Sequence, residues 1–389
     1  MRNPLAAHPP WRQLVIVSVL LPLMIVLAFA WPAARIAPRD LPVGIVGTGP
    51  ASQQVLKGLA RGEPGGFGVR LYADQAAART AIEDRDVYGA FAATPRGVTV
   101  LEASAASPTV AQLLSTTGQQ LARHASGPGR VVAATDVDVV PSSASDPRGL
   151  VLSSVLLPLT ICGIIMAALV GLIVGFRPAW RQIMALAVVS AIAGLGAFLI
   201  AQAFLGALPH EYLATWAGLA LTVLAIGATS AGLIALAGPV GLGLGAVLMI
   251  FIGNPFSGAS SAPQLLPPAV DHIGQWLPPG AAANLLRSTA YFGGHGASGH
   301  LWVLILWSVI GMAAIVAGHH APIRFAASRA QERARDQAGD QARDPARAER
   351  VACSGQNART AAAWLTATEC VTHLVPSRTC SRKLVGSAT

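Results

Sequence analysis

A glycine-rich turn at residues 47–49 is the feature of this sequence whose residue spacing is compatible with a cofactor-binding loop. It follows the hydrophobic run 43–46 and leads into Pro50, and Asp74 ends the next predicted strand about 25 residues further along. This order approaches the dinucleotide-binding fingerprint, in which glycines let the backbone come close to a pyrophosphate. Ser52, however, stands where a third small residue would allow close helix packing, and the charge pattern described below predicts a location outside the cytoplasm, where nicotinamide cofactors are scarce. We interpret the turn as structural, with Pro50 as the first helical residue, and expect no cofactor; dinucleotide binding is the alternative.

Other chemical motifs are missing from the sequence. There is no P-loop, and the only lysines are Lys57 and Lys383. There is also no nucleophile elbow and no His-Glu-x-x-His helix. The tail holds three cysteines and a histidine without a recognised zinc spacing, namely Cys353, Cys370, Cys380 and His373. We therefore expect neither an enzyme nor a metal site.

The apolar residues predict an α-helical polytopic membrane protein with about six transmembrane helices. Of the 389 residues, 53% are hydrophobic and only 12% are charged, which is atypical of soluble domains. Six blocks lack Asp, Glu, Lys and Arg, and a helix of about 20 such residues crosses the hydrocarbon layer. The fifth block is shorter and rich in glycine, and the first could instead be a signal peptide, although its length favours an uncleaved anchor. The blocks are residues 14–31, 150–176, 182–206, 212–237, 240–254 and 301–318.

Charge placement predicts which segments face the cytoplasm. The N-terminus carries +2, the loop with Arg177 and Arg181 carries +2, and the segment from His319 onward carries +5, which together account for the net charge of +9. Basic residues are retained on the cytoplasmic side. Both termini are therefore predicted to lie in the cytoplasm, and the protein is expected in a bacterial plasma (inner) membrane. The basic balance is thus explained by topology, and no nucleic-acid partner is expected.

The segments between the spans then form distinct parts. Residues 1–13 are a cytoplasmic N-terminus, 32–148 an inserted extracytoplasmic α/β domain, 149–320 a five-helix membrane domain, and 321–389 a basic cytoplasmic tail that includes a charged helix or disordered extension at 328–350. In the α/β domain, hydrophobic runs alternate with helical patterns. Strands are predicted at 42–47, 68–72, 87–92, 98–101 and 131–139, and helices at 50–61, 74–82 and 109–123.

A second external segment, residues 255–300, is too apolar for a solvated loop. It contains Leu265-Leu266-Pro267-Pro268 and Trp276-Leu277-Pro278-Pro279, followed by a helical pattern from Ala281 to Tyr291. We expect this segment to lie on the outer membrane surface or to dip into it, with aromatic residues at the interface.

Four short patterns accompany this arrangement of spans and external segments. They are Leu41-Pro42-Val43-Gly44-Ile45-Val46, Asp86-Val87-Tyr88-Gly89-Ala90-Phe91, Asp146-Pro147-Arg148-Gly149-Leu150, and Leu277-Pro278-Pro279-Gly280-Ala281 with Leu286-Arg287. With these patterns the chain resembles the ABC-2 type transporter permeases with a large first extracellular domain, including the YhgE/Pip-like membrane protein family. The resemblance covers about residues 10–320. It implies a separate ABC ATPase subunit and a homodimer or heterodimer of permeases in the lipid bilayer.

The expected function is the permease subunit of an ATP-driven exporter that moves a hydrophobic or envelope-related substrate outward. Because the apolar blocks lack ionisable residues, energy is expected from another subunit rather than from an ion gradient. The alternative is a non-transporting membrane receptor or secretion scaffold that displays its extracytoplasmic domain. The candidate ATPase-coupling loop contains Arg177, Pro178 and Arg181. By resemblance, the candidate outer gate contains Asn254, Pro255, Trp276, Pro278, Pro279 and Arg287.

The predicted topology can be tested with single cysteines at Ser126 and Ser328 in a background without the native cysteines. An impermeant thiol reagent applied to intact cells is expected to label Ser126→Cys and to leave Ser328→Cys unlabelled, because the charge partition places residue 126 outside and residue 328 inside. Permeabilised cells, in which both should react, are the control. The reverse pattern in intact cells contradicts the topology.

Overall fold

A computed structural model of the chain describes residues 10–94, 97–126, 132–147, 149–174, 178–207 and 211–343. The chain divides into two compact units, Met1–Ala321 and Pro322–Thr389. In the second unit, the described residues 322–343 are helical. All tertiary contacts considered below lie within the first unit.

The described residues are mostly helical. Two π-helical turns, Ile200–Phe204 and Val247–Gly253, continue helices α6 and α8, and short 3-10 turns span Pro255–Ser257 and Pro263–Leu265. The α-helices are α1 (Pro10–Ala33), α2 (Pro50–Gly62), α3 (Gln75–Glu83), α4 (Pro108–Ala125), α5 (Leu150–Val174), α6 (Ala179–Leu199), α7 (Tyr212–Ala237), α8 (Pro239–Ala246), α9 (Pro268–Trp276), α10 (Pro278–Tyr291) and α11 (Ser298–Arg343).

Five strands form one mixed sheet, which confirms the small α/β element predicted from the hydrophobic runs. Its order is β2-β1-β3-β4-β5; β1 lies parallel to β2 and β3, β3 and β4 form an antiparallel hairpin, and β5 lies parallel to β4. The parallel pairs are connected through helices, as parallel strands require. The strands are β1 (Leu41–Val46), β2 (Phe67–Tyr72), β3 (Gly89–Thr94), β4 (Gly97–Glu102) and β5 (Ala133–Asp138). We call residues 41–138 the α/β region.

The glycine-rich turn after β1 has the local geometry of a structural turn. Gly47 has a φ of +79°, which residues other than glycine rarely adopt. Pro50 begins α2, as predicted. The Ser52 hydroxyl donates a 2.7 Å hydrogen bond to the Val46 carbonyl and is buried beneath the turn. Ser52 thereby fills the space that a third glycine leaves open in a dinucleotide-binding fold.

Two hydrophobic cores cover the two faces of the sheet. On one face, Leu41, Ile45 and Phe91 pack with residues of α2 and α4; on the other, Ala90 and Leu101 pack with α3. Each core also contains residues from the chain after position 255, because Leu265 joins the first and Phe292 joins the second. The sheet is therefore closed in part by residues that lie more than 100 positions away in the sequence.

In the described part of the chain, four helical stretches are long and apolar enough to cross a membrane. They support the membrane-embedded character that the apolar blocks predict. Two shorter apolar stretches correspond to the remaining blocks: 16 described residues at Ser18–Ala33 and 15 residues at Pro239–Gly253. The four long stretches are Leu150–Ile173, Ala179–Phe204, Tyr212–Ala237 and Ser298–His320.

Helix α7 lies at the centre of these helices and packs against α5, α6, α8 and α10. Its approach to α11 depends on small residues, since a Cβ atom at Gly311 would lie 2.4 Å from the Ala228 carbonyl carbon. Such contacts let apolar helices associate by close van der Waals packing.

Asp146 caps the start of α5, where its carboxylate accepts hydrogen bonds from the Leu150 and Val151 amides at 2.9 and 2.7 Å.

Helix α11 is longer than the sixth apolar block predicts. The block ends at residue 318, whereas the helix continues to Arg343. Residues 328–343, for which a charged helix and a disordered extension were both considered, are helical. Residues 344–389 lie outside the described part of the chain.

Three carboxylates lie together at the end of β4 and β5. Glu102 is opposite Asp138 in the register of the two strands, and Ser104 and Ser115 bind Asp138 and Asp136 at 2.5 and 2.6 Å. Burial, followed by the charges of Asp136 and Asp138, raises the pKa of Glu102 to about 7.

Because its folded-state pKa is raised, Glu102 contributes stability below its normal pKa of 4.5, and this contribution is lost as the pH rises through about 7. Glu102→Gln is expected to raise stability at pH 8 by about 1 kcal/mol, since partial exposure screens the repulsion, and to change it little at pH 4. Apparent Tm measured in detergent at both pH values provides the test. Glu83→Gln, at an exposed carboxylate of α3, is the control. Equal shifts at both pH values would contradict the expectation.

Candidate functional site

Helix α10 is buried along nearly its whole length. Every residue from Pro278 to Ala290 is buried, and the helix packs against α5 and α7 on one side and α9 on the other. Pro278 and Pro279 occupy its first turn, where a missing N–H costs nothing. This part of the segment is therefore enclosed by protein, while its predicted place at the outer membrane surface stays a prediction.

The chain between the Val247–Gly253 turn and α11, residues 255–297, is called the α9–α10 segment. Backbone and side-chain hydrogen bonds connect it to residues 37–39, just before the α/β region, and to the start of α4. The Leu265 carbonyl accepts from the Ala37 amide at 3.1 Å and from the Arg39 guanidinium at 2.8 Å, and the Gln264 carbonyl accepts from the Arg39 amide at 3.1 Å. Thr109 also donates to the Ser260 carbonyl at 3.2 Å.

Arg85 makes a second connection between the α/β region and α10. It lies in the turn between α3 and β3 with a φ of +64°, a conformation that costs a residue with a side chain about 1–3 kcal/mol. Its guanidinium donates to the Asn284 carbonyl at 3.1 Å, to the Asn284 side-chain oxygen at 3.2 Å and to the Ser288 hydroxyl. It also lies 5.3 Å from the centre of the Phe292 ring. Burial lowers the pKa of Arg85, and Tyr88 partly opposes this effect.

Arg287 is the most deeply buried cation of this site, with 4% of its surface exposed. One terminal nitrogen donates to the Ala259 carbonyl at 2.9 Å, while the other has no hydrogen-bond partner among the described residues. Burial, reinforced by the charge of Arg85, lowers the pKa of Arg287 to about 10 although Tyr88 and Tyr291 raise it, so the group is still charged at neutral pH. Among the described residues, the ion pairs are Arg70–Asp86 and His295–Asp84.

A polar cavity of about 310 Å³ lies between the α/β region and the α9–α10 segment. Tyr88 crosses it and donates a 2.8 Å hydrogen bond to the Gln264 side chain. Burial raises the pKa of Tyr88, so this phenol is a neutral donor. The titratable residues of its wall are Arg85, Tyr88, Asp271, His272 and His300.

Amide side chains complete the polar wall. Gln264, Gln275 and Asn284 line the cavity, and Asn284 donates to Gln275 at 2.6 Å. Amides supply both donors and acceptors without charge, so the arrangement can hold a small polar molecule by hydrogen bonds.

The predicted gate residues fall into two groups. Asn254 and Pro255 follow the Val247–Gly253 turn, and Gly253 lies against Pro279, since a Cβ atom on Gly253 would come within 2.8 Å of the Pro279 ring. The structure therefore brings the ends of this turn and of α10 together. Trp276, by contrast, is 64% exposed, although its carbonyl accepts the Trp307 indole at 2.7 Å.

The predicted coupling loop is described only in part. Pro178 immediately precedes α6, and the exposed Arg181 lies 5.4 Å from the ring centre of Trp180. Arg177 lies outside the described residues. Its role, like that of its neighbours, stays a prediction.

The residues at the centre of the cavity were missed by sequence reasoning. Tyr88 was noted only as part of a recurrent pattern, and Arg85, Asp271 and Asn284 were not singled out. A usable signal was the spacing of four between Asn284 and Ser288, which places both side chains on one face of the helix.

Comparison with known proteins does not assign the site, because no protein-family model, curated protein or solved structure matches the chain.

Replacing Arg287 by Met is expected to raise the apparent Tm of the detergent-purified protein, by the equivalent of about 1 kcal/mol. Burying a guanidinium with an unpartnered nitrogen is costly, and an apolar side chain of similar volume removes that cost. Arg39→Met is the matched control and should lower Tm, because Arg39 donates to the carbonyls of Ala37, Leu265 and Arg35. A fall in Tm for Arg287→Met as large as that of the control would show that Arg287 is a structural group.

Proposed function

We propose that the chain crosses a bacterial plasma membrane six times and serves as the permease subunit of an ATP-driven, ABC-2 type exporter. Both termini lie in the cytoplasm, and the α/β region and the α9–α10 segment lie outside. The four long apolar helices supply most of the spans, and α1 and the stretch Pro239–Gly253 supply the other two. The positive-inside distribution of charge supports this orientation.

The observation that carries the proposal is the burial of α10. A loop that only joined two spans would stay in water, whereas α10 inserts against α5 and α7 and carries Asn284 and Arg287 into an enclosed position. Polar groups at such a depth are costly unless they serve a site or a pathway. In the proposed exporter, α10 and the Asn254–Pro255 turn form the outer gate.

The source of energy follows from the composition of the spans. The apolar blocks contain no Asp, Glu, Lys or Arg, so they lack the charged site that coupling to an ion gradient requires. A separate ATPase subunit on the cytoplasmic side supplies the work. The substrate is hydrophobic or envelope-related, because the exposed surfaces of α5 and α6 are apolar and give access from lipid.

The permease works as a homodimer or heterodimer within the bilayer. Helix α6 offers an apolar stripe for lipid or a second permease, because Trp180, Met184, Val188, Ile192 and Leu195 recur on one exposed side. A non-transporting receptor or secretion scaffold is the alternative, and the following experiment separates the two.

Replacing Arg177 and Arg181 together by Glu is expected to uncouple the ATPase. The loop between the second and third spans is the short basic loop that an ATPase beneath the bilayer would contact, and the charges of the N-terminus and tail still hold the topology. Co-purification of a Walker-motif ATPase and export should both fall by about tenfold or more. Arg61→Glu together with Arg79→Glu, at exposed positions of the α/β region, is the control of equal charge change.

If the double variant inserts normally, co-purifies with as much ATPase as the wild type and exports at an unchanged level, this loop is not the coupling surface. Failure of the wild-type chain to co-purify with any ATPase would contradict the permease itself and favour the receptor or scaffold.

A further inference from the structure

Two opposite charges line the polar cavity without neutralising each other. Arg85 enters it from the turn before β3, and Asp271 enters it from α9. Neither takes part in an ion pair among the described residues, whose pairs are Arg70–Asp86 and His295–Asp84. Tyr88 lies in the wall of the same cavity.

Each of these charges has unused capacity for a partner. Of the five N–H donors of Arg85, three are directed to Asn284 and Ser288, which leaves two for another acceptor. The Asp271 carboxylate has no hydrogen-bond or ion-pair partner in the part of the chain that the structure describes. Half-buried charges in this state are poorly compensated, and a ligand that carries both charges would compensate them together.

The size and chemistry of the cavity limit the ligand. Its volume of about 310 Å³ is at the lower end of the range for small-molecule sites, and its wall is polar. A folded partner or an acyl chain does not fit such a space, but a small polar group does. The guanidinium fork matches the oxygens of a phosphate or carboxylate, and the Asp271 carboxylate matches an ammonium group.

The position of the cavity favours the headgroup of a lipid. Its wall includes Asn284 of α10, and α10 packs directly on α5 and α7, two of the helices long and apolar enough to span a membrane. Pro42 and Val87 of the α/β region form the opposite wall. His300, near the start of the apolar stretch Ser298–His320, also lines the cavity, so the cavity lies at the end of a candidate membrane helix, where the headgroup of a lipid would be found.

We propose that the cavity binds a small zwitterion made of a phosphate and a primary amine, the chemistry of a phosphoethanolamine headgroup. Arg85 holds the phosphate oxygens, and Asp271 holds the ammonium. The site rests on the proposed exporter function in one respect, since it names the headgroup class of the exporter's cargo. Binding itself requires no ATPase, so the two can fail separately.

The test measures binding to the full chain in detergent by titration calorimetry. Glycerophosphoethanolamine is the probe, glycerophosphoglycerol is the probe without the amine, and glycine is the free zwitterion that is not a lipid headgroup. The wild type should bind glycerophosphoethanolamine about tenfold or more tightly than the other two. Asp271→Asn should abolish the preference for the amine, and Arg85→Lys should weaken both phosphodiesters by about tenfold, because it keeps the charge but loses the fork.

Arg70→Lys and Asp86→Asn are the matched controls, because they make the same two changes at an exposed pair outside the cavity. They should leave all affinities unchanged. Since Arg85 also connects the α/β region to α10, each variant is accepted only with a wild-type elution profile, and Asp271→Asn carries the test if Arg85→Lys fails to fold.

Three results would overturn the proposal: no binding of glycerophosphoethanolamine to the wild type, equal affinity for all three probes, or a preference that survives Asp271→Asn. Tighter binding of glycine would assign the cavity to free amino acids instead of a lipid headgroup. Headgroup binding without a co-purifying ATPase would support the headgroup site and contradict the exporter function. Export without headgroup binding would support the exporter function and contradict the headgroup site.

Discussion

The burial of α10 is the constraint on which the rest of the structure depends. A helix enclosed from Pro278 to Ala290 cannot rely on water to satisfy its polar side chains. Asn284 and Ser288 therefore receive hydrogen bonds from Arg85, and Asn284 donates onward to Gln275. The position of the α/β region follows from this requirement. It is also held there by the backbone bonds to Gln264 and Leu265 and by the two cores that Leu265 and Phe292 complete.

The polar atoms at this junction are unevenly satisfied, and the imbalance separates structural from functional roles. Arg39 donates three hydrogen bonds to backbone carbonyls and has an evident structural purpose. Arg287 is more deeply buried, yet one of its terminal nitrogens lacks a partner among the described residues. Packing gives no reason to keep such a group, because an apolar residue would cost less. Arg85, which lies in the wall of the polar cavity and keeps two unused donors, is the cation expected to bind an anionic group there.

The proposed cargo path and the proposed headgroup site lie on different helices. Apolar surfaces of α5 and α6 offer a path for the hydrophobic part of a cargo, whereas the cavity beside α10 offers a place for its charged end. A lipid-like molecule needs both, because charges are costly in the hydrocarbon layer and acyl chains are costly in water. The Val247–Gly253 turn, which precedes the predicted gate residues Asn254 and Pro255, lies against the first turn of α10, where Gly253 contacts Pro279.

The sequence by itself determined the class of the protein and most of its elements. Apolar blocks identified the long apolar helices, and alternating runs identified the five strands to within a few residues, because these patterns depend on periods of 3.6 and 2 within one segment. It also determined the turn at Gly47, where local chemistry suffices. Only the tertiary structure decided that Arg85, Tyr88, Asp271 and Asn284 surround one cavity. They come from three elements separated by up to about 200 positions, and a single sequence carries no signal for which distant polar residues meet; their meeting depends on how α10 is buried.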